Sequence, residues 1–278
     1  MPVISQKRKT TLLVALFFLI SLGAALALFT NKKILARFST RNPVSSERMA
    51  RFPKIILWAW ERPENLNYID TREIGVAFLA KTLYLRGEQT LVRPRLQPLR
   101  VPQGTTIIAV ARIEVERDAA PALSVQQREK AVAEIAELAQ MPNVSGVQID
   151  FDAKSSERAF YRELIFDLRR RMPEQTALSI TALASWCLQD DWISDLPVDE
   201  AVPMLFRMGV ERRQIQMRLE AGGDFPEALC RRSNGISTDE NLNGVPRQRR
   251  SYIFNPKPWS SASVSVVVER SKNEQQGF

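Results

Sequence analysis

From Lys54 onward, short apolar runs recur along the chain and read as eight strands: Ile55 to Trp60, Ile74 to Lys81, Thr106 to Glu114, Val144 to Asp152, Leu178 to Leu183, Ala201 to Met208, Gly235 to Thr238 and Ser251 to Phe254. Between them, two segments carry a helical stripe. Ser124 to Gln140 places Ala131, Ile135, Leu138 and Ala139 on one side, and Ser155 to Arg171 does the same with Phe160, Leu164, Ile165 and Leu168. Ser124 and Ser155 suit N-caps, and Pro142 and Pro173 follow the C-terminal ends. Leu83 to Gln97 reads instead as a hairpin-like excursion around Gly87. Strands alternating with helices predict parallel pairing, and eight of them predict an α/β fold, a (β/α)8 TIM-like barrel over residues 54–268, followed by a polar tail at 269–278. The barrel is short for its class. The seventh and eighth strands are weakly marked, so an incomplete barrel or an open α/β sheet is the other outcome.

One strand departs from the apolar pattern. Val147-Gln148-Ile149-Asp150-Phe151-Asp152 alternates, so Gln148, Asp150 and Asp152 share one face and Val147, Ile149 and Phe151 the other. Barrel interiors are ordinarily filled by branched apolar residues, and burying two carboxylates is costly. Such groups are kept for chemistry, a metal or a defined charge partner.

Composition refines this picture. The 278-residue chain carries a net charge of +8, but residues 1–54 hold ten Lys and Arg against the single acid Glu47, leaving 29 basic and 30 acidic residues in the remainder. The positive charge belongs to the N-terminal stretch, and no nucleic-acid partner is expected. Thr11 to Phe29 is uncharged and rich in Leu, Ala and Phe, between Lys7-Arg8-Lys9 and Lys32-Lys33. At 1.5 Å per residue it reaches about 28 Å, the thickness of a bilayer core. Residues 11–30 therefore read as one transmembrane signal anchor, after a short basic cytoplasmic tail (1–10) and before a basic linker (31–53). That topology places the barrel in the periplasm of a bacterium, held at the inner membrane. A cleaved signal peptide ending near Ala25-Leu26-Ala27, with secretion of the domain, is the alternative. Cys187 and Cys230 fit export as a pair, or a core as two free thiols.

Histidine is absent, which removes Ser-His-Asp and Cys-His catalysis and His-ligated zinc. There is no GxGxxG and no GxxxxGK[ST], so no nucleotide cofactor is expected, and no metal or other cofactor is assigned. Reading the C-terminal strand ends, where barrels place their chemistry, gives Asp150 and Asp152 as candidate catalytic carboxylates. The same reading gives Gln148, Trp58, Trp60, Glu61, Lys81, Arg112, Thr181, Trp186, Arg207 and Trp259 as candidate ligand-binding residues. Carboxylates beside indoles suit a polysaccharide, whose hydroxyls need acceptors and whose ring faces stack on aromatic planes. In the bland reading, Lys81, Arg112 and Arg207 neutralise Asp150, Asp152 and Glu114, the indoles pack, and Asp239 and Glu240 form a solvated turn.

Gly146-Val147-Gln148-Ile149-Asp150-Phe151-Asp152 is similar to the fourth-strand signature of the chitinase-type family 18 glycoside hydrolases. The resemblance sets Gln148 on the inner aspartate, Asp150 on the aspartate that assists the substrate's N-acetyl group, and Asp152 on the glutamate acid. It sets Met204-Leu205-Phe206-Arg207 on the sixth-strand motif and Trp259 on the eighth-strand indole. Asp152 is one methylene shorter than the family's glutamate, Gln148 lacks the charge of the family's inner aspartate, and Arg207 stands near where the family has a Tyr-Asp pair. Trp58 to Glu64, Val147 to Ala153, Ser179 to Cys187 and Leu196 to Gly209 also resemble a bacterial family described as domain of unknown function 3142, which supplies no activity. Three functions remain open. They are an envelope-facing glycoside hydrolase-like enzyme, a non-catalytic carbohydrate-binding or envelope-assembly protein, and a metal-dependent enzyme using Asp150-Phe151-Asp152 as a DxD motif, either a glycosyltransferase or a phosphatase.

Overall fold

The computed structural model describes residues 48–116 and 118–276. The tail, the anchor and all of the linker before Arg48 lie outside the described residues. Among the described residues no helix is long and apolar enough to cross a membrane.

Eight parallel strands form a closed ring: β1 (Ile55–Ala59), β2 (Ile74–Arg86), β3 (Ile107–Val115), β4 (Val144–Asp150), β5 (Ala177–Leu183), β6 (Glu200–Met204), β7 (Ser233–Ser237) and β8 (Arg250–Phe254). β1 closes the barrel by pairing with β8 on one side and β2 on the other. Closure settles the choice between barrel and open sheet. The weakly marked β7 and β8 are held through five aligned pairs, Ser233 with Arg250 to Ser237 with Phe254. β7 has little apolar sequence because Gly235 must be small. A Cβ there would lie 3.0 Å from the Pro203 carbonyl and 3.2 Å from the Trp58 ring.

Among the described residues five α-helices accompany the ring: α1 (Val125–Ala136), α2 (Arg158–Arg171), α3 (Ala184–Leu188), α4 (Arg212–Glu220) and α5 (Ser261–Gln276). β1, β2 and β7 have no α-helix after them among the described residues. β2 instead runs on and turns at Gly87 into the antiparallel strand Gln89–Pro94, the expected hairpin. Ser124 caps α1 by accepting from the Gln127 N–H at 3.3 Å. Ser155 does not cap α2. It opens a 3-10 turn, Ser155–Glu157, whose Glu157 carboxylate accepts the Lys154 N–H at 2.8 Å. Helix α5 continues through 269–276, the residues read as a polar tail.

Two apolar layers result. Outside the ring, Val147 and Ile149 of β4 and Phe151 just beyond it meet Phe160, Leu164, Ile165 and Leu168 of α2 and Ala131 and Ile135 of α1. Inside it, Ile56, Trp58, Ala77, Ile108, Val110, Val202 and Tyr252 fill the bore. Strands buried on both faces explain why most read as unbroken apolar runs.

The N-terminal mouth is closed by the end of the segment read as linker. Arg48 grips Asp199 with its Nε 3.0 Å from both carboxylate oxygens. Phe52 packs under the bore, and Arg250 donates to the Met49 and Pro53 carbonyls at 2.7 and 3.2 Å. Residues 48–53 thus belong to the barrel rather than to a tether. Above them lies a buried polar column. Glu200 accepts from Arg250 at 2.8 Å and from the Tyr252 hydroxyl at 2.6 Å.

Cys187 and Cys230 form a disulfide across 43 residues of sequence. It ties α3, immediately after β5, to the turn before β7, inside the outer apolar layer. Persistent disulfides belong to oxidising compartments.

Candidate functional site

β4 carries its polar face into the bore, as alternation requires, and the three groups stand at successive heights. Gln148 is the deepest and is fully buried. Its carbonyl oxygen accepts the Trp58 indole N–H at 2.8 Å, and its amide donates to the Ser179 hydroxyl at 3.0 Å. Both ends of the amide are used, so Gln148 acts as a strut that fixes the Trp58 ring. Asp150 comes next, with its side chain 12% exposed. It accepts from the Thr181 hydroxyl at 2.8 Å and faces Arg112 at 3.4 Å. Asp152 lies two residues on, beyond the last strand residue, exposed at the mouth, and its carboxylate has no hydrogen-bond partner among the described residues.

Around these groups opens a cavity of about 230 Å³, lined by Trp58, Trp60, Arg112, Asp150, Asp152 and Phe254 together with Val110, Gln148, Thr181, Leu183, Met204, Phe206 and Arg207. One wall is aromatic. Phe206 and Phe254 stack at 5.6 Å between centroids, and Trp60 meets Phe254 edge-on at 6.5 Å. The other wall is charged. Arg112 binds Glu114 at 2.6 Å, faces Asp150 and sits 5.6 Å over the Trp60 ring.

Burial raises the Asp150 pKa above its ordinary value. Arg112 opposes that rise, Asp152 adds to it, and the Thr181 hydrogen bond opposes it. Asp152 is also raised, because protein around the carboxyl excludes water while Arg112 only partly compensates. Arg112 itself is raised. Burial works against its charge, but Asp150 and Glu114 outweigh that.

Because Asp152 holds its proton more tightly in the folded chain than in the unfolded one, the native state binds more protons just above the ordinary carboxylate pKa of 3.8. Stability therefore falls as pH rises through that window. Asp152→Asn, which mimics the protonated form, is expected to melt at or above the wild-type temperature at pH 7 and to match it near pH 4. Thermal melts at the two pH values check this, and a variant melting below wild type at pH 7 contradicts it.

Of the residues read from sequence, Gln148, Asp150, Asp152, Trp58, Trp60, Arg112, Thr181 and Arg207 converge on the cavity. Four do not. Lys81 points outward to the Glu134 carbonyl and carboxylate at 2.8 and 3.2 Å and to Glu137 at 3.2 Å. A bulge between Leu79 and Lys81 inserts Ala80, so the register pairs Lys81 with outward-facing Ala111 and Thr82 with Arg112. Glu61 lies on the rim and pairs with Arg93 of the hairpin at 2.8 Å. Trp186 is buried outside the ring against Trp192, centroids 4.8 Å apart. Trp259 is also buried outside, where its indole N–H donates to the Trp58 carbonyl at 3.0 Å. Asp239 lies in an exposed turn and Glu240 follows it, as read from sequence, and the two also form ion pairs with Arg207 and Arg212. Phe206 and Phe254 were missed. For Phe254, the period of two that marks Tyr252 as inward also marks it.

A closed ring of eight parallel strands with charged and aromatic groups gathered at the strand ends defines an α/β barrel of the (β/α)8 type with a mouth pocket. Residues 103–205 match the family described as Domain of unknown function (DUF3142). The resemblance read in the sequence is thus shown over the stretch that supplies Arg112, Gln148, Asp150, Asp152, Thr181 and Met204. Among solved structures, the chain is similar to the chitinase domain of the spore coat protein CotE from Clostridium difficile. The two share 12% identity over 75% of this chain and 70% of that one, with a TM-score of 0.42. No curated protein sequence matches the chain.

Proposed function

We propose that the mouth pocket binds a sugar ring and that the chain is a glycoside hydrolase-like enzyme, with Asp152 as the general acid and Asp150 as its buried partner. One observation carries the reading: a half-enclosed cavity in which one carboxylate is fixed by Thr181 and Arg112 while a second, with raised pKa, stands unpartnered at the opening opposite an aromatic wall. An acid that keeps its proton above the ordinary carboxylate range is better placed to deliver it to a leaving oxygen. The Phe206, Phe254 and Trp60 faces offer the apolar surface on which a pyranose ring packs.

A non-catalytic sugar-binding role is the second reading, favoured by the short reach of Asp152 and by the neutral strut at Gln148. The DxD metal reading fits the donor set less well. Asp150 is already held by a guanidinium, and among the described residues no group of three or more carboxylate or thiolate donors is gathered. The anchor read at residues 11–30 and the Cys187–Cys230 disulfide together support a place on the periplasmic face of a bacterial inner membrane, acting on an envelope or exported polysaccharide. The test is to incubate the full chain with such polysaccharides and measure new reducing ends, with Asp152→Asn in parallel. Turnover lost in the variant supports the enzyme, binding without turnover supports the second reading, and indifference to every glycan rejects both.

A further inference from the structure

Arg207 is the one pocket residue whose charge the glycosidase reading does not use. It follows β6 with a backbone φ of 53°, in the left-handed region that non-glycine residues rarely adopt, and its N–H is held there by the Glu240 carboxylate at 3.1 Å. That conformation lays the guanidinium over the stacked pair on the aromatic wall, 5.0 Å from the Phe254 centroid and 5.9 Å from that of Phe206. Among the described residues the guanidinium itself has one carboxylate contact, Asp239 at 3.4 Å, in a pair that leaves the Arg207 side chain 53% and that of Asp239 42% exposed. Asp239 is also bound by the Ser237 hydroxyl, and Glu240 by Arg212. Arg112, by contrast, is committed at short range to Glu114 and faces Asp150. Arg207 therefore brings a planar fork of donors into the cavity with most of them unspent.

A cation there works against glycosidic chemistry, whose transition state develops positive charge on the ring. The conflict disappears when the substrate carries its own negative charge at the Arg207 side. Glu114 and Asp150 answer the charge of Arg112 and leave Arg207 with only the long, exposed contact to Asp239, a contact that a substrate carboxylate can displace. Building on the sugar reading, we infer that the pocket selects a ring bearing a carboxylate, a hexuronate, and that Arg207 is the selecting residue. The carboxylate replaces Asp239 on the fork as a bidentate partner while the ring lies along the Phe206–Phe254 wall.

The experiment is a ligand-observed NMR titration of the full chain with glucose, glucuronate, glucose 6-sulfate and glucose 6-phosphate. It is run on wild type, Arg207→Gln and Arg207→Asn, the last because asparagine tolerates the left-handed backbone. Glucuronate is expected to bind wild type about tenfold or more tighter than glucose, with the preference weakened by salt. In both variants that preference should collapse to within about twofold, with folding verified by thermal melts. Equal binding of glucose and glucuronate in wild type, or a preference surviving in both variants, overturns the selection while leaving the sugar reading intact. A sulfate or phosphate ester binding best overturns the carboxylate assignment. Binding of none of the four rejects the sugar reading together with this inference.

Discussion

Asp152→Asn is expected to lower turnover of a cleaved polysaccharide by about 10²–10⁴-fold while leaving its binding little changed, the range for removing a positioned general acid. The split between turnover and binding follows from geometry. Asp152 stands at the opening and holds nothing in place, since its carboxylate has no hydrogen-bond partner among the described residues. Its amide therefore disturbs neither the Trp58–Gln148 strut nor the Asp150–Thr181 contact. The wild-type rate should decline on the alkaline side as the raised Asp152 group loses its proton, whereas residual activity in the variant should lack that limb. Rate against pH at saturating substrate checks both. A variant within a few-fold of wild type would assign the acid elsewhere.

The largest effect on stability is expected at the opposite end of the bore. Arg250→Met removes the partner of Glu200, whose side chain is fully buried, and strands a carboxylate beneath the Tyr252 hydroxyl. Breaking a buried pair in this way costs about 3–5 kcal/mol. For a domain of this size that corresponds to a melting temperature lower by roughly 6–20 °C. Arg250 also holds the Met49 and Pro53 carbonyls, so the plug of residues 48–53 should loosen as well. Adding Glu200→Gln to Arg250→Met removes the stranded charge and should restore part of the loss, because the penalty lies in the uncompensated carboxylate. Thermal melts of the two variants measure this, and no recovery in the double variant would place the cost in the plug alone.

Most of the eight strands were legible because a parallel barrel strand buried on both faces is largely apolar; β7 and β8, with Ser233, Asn234, Ser237, Arg250 and Ser251, were the weakly marked ones, and β4 stood out by its regular alternation. Its alternation placed Gln148, Asp150 and Asp152 on the correct face and in the correct order of depth. Lys81 could not be placed that way. The extra residue at Ala80 inverts the faces beyond it, and neither glycine nor proline marks the bulge. Trp186 and Trp259 were misplaced for a different reason. Both follow strand ends, where the period of two lapses and an indole is equally suited to a pocket wall or an outer core.

The buried column begins one residue outside the strand limits that the apolar runs suggest. Reading β6 from Ala201 and β8 from Ser251 excluded Glu200 and Arg250, because charged residues look like strand limits. Extended inward by period two, Glu200-Val202-Met204 and Arg250-Tyr252-Phe254 form two stripes that run from the plug to the pocket wall. A charge at the start of an apolar run can thus be the first inward residue of the strand.

The most direct test of the sugar pocket uses the five tryptophans. Trp58 and Trp60 line the cavity, while Trp186, Trp192 and Trp259 pack outside the ring. Indole N–H resonances of the ¹⁵N-labelled chain, followed while a bound saccharide is titrated, should shift for Trp60 and, through the Gln148 strut, for Trp58, with the other three unmoved. Shifts confined to Trp186, Trp192 or Trp259, with Trp60 silent, would contradict a sugar site at the barrel mouth.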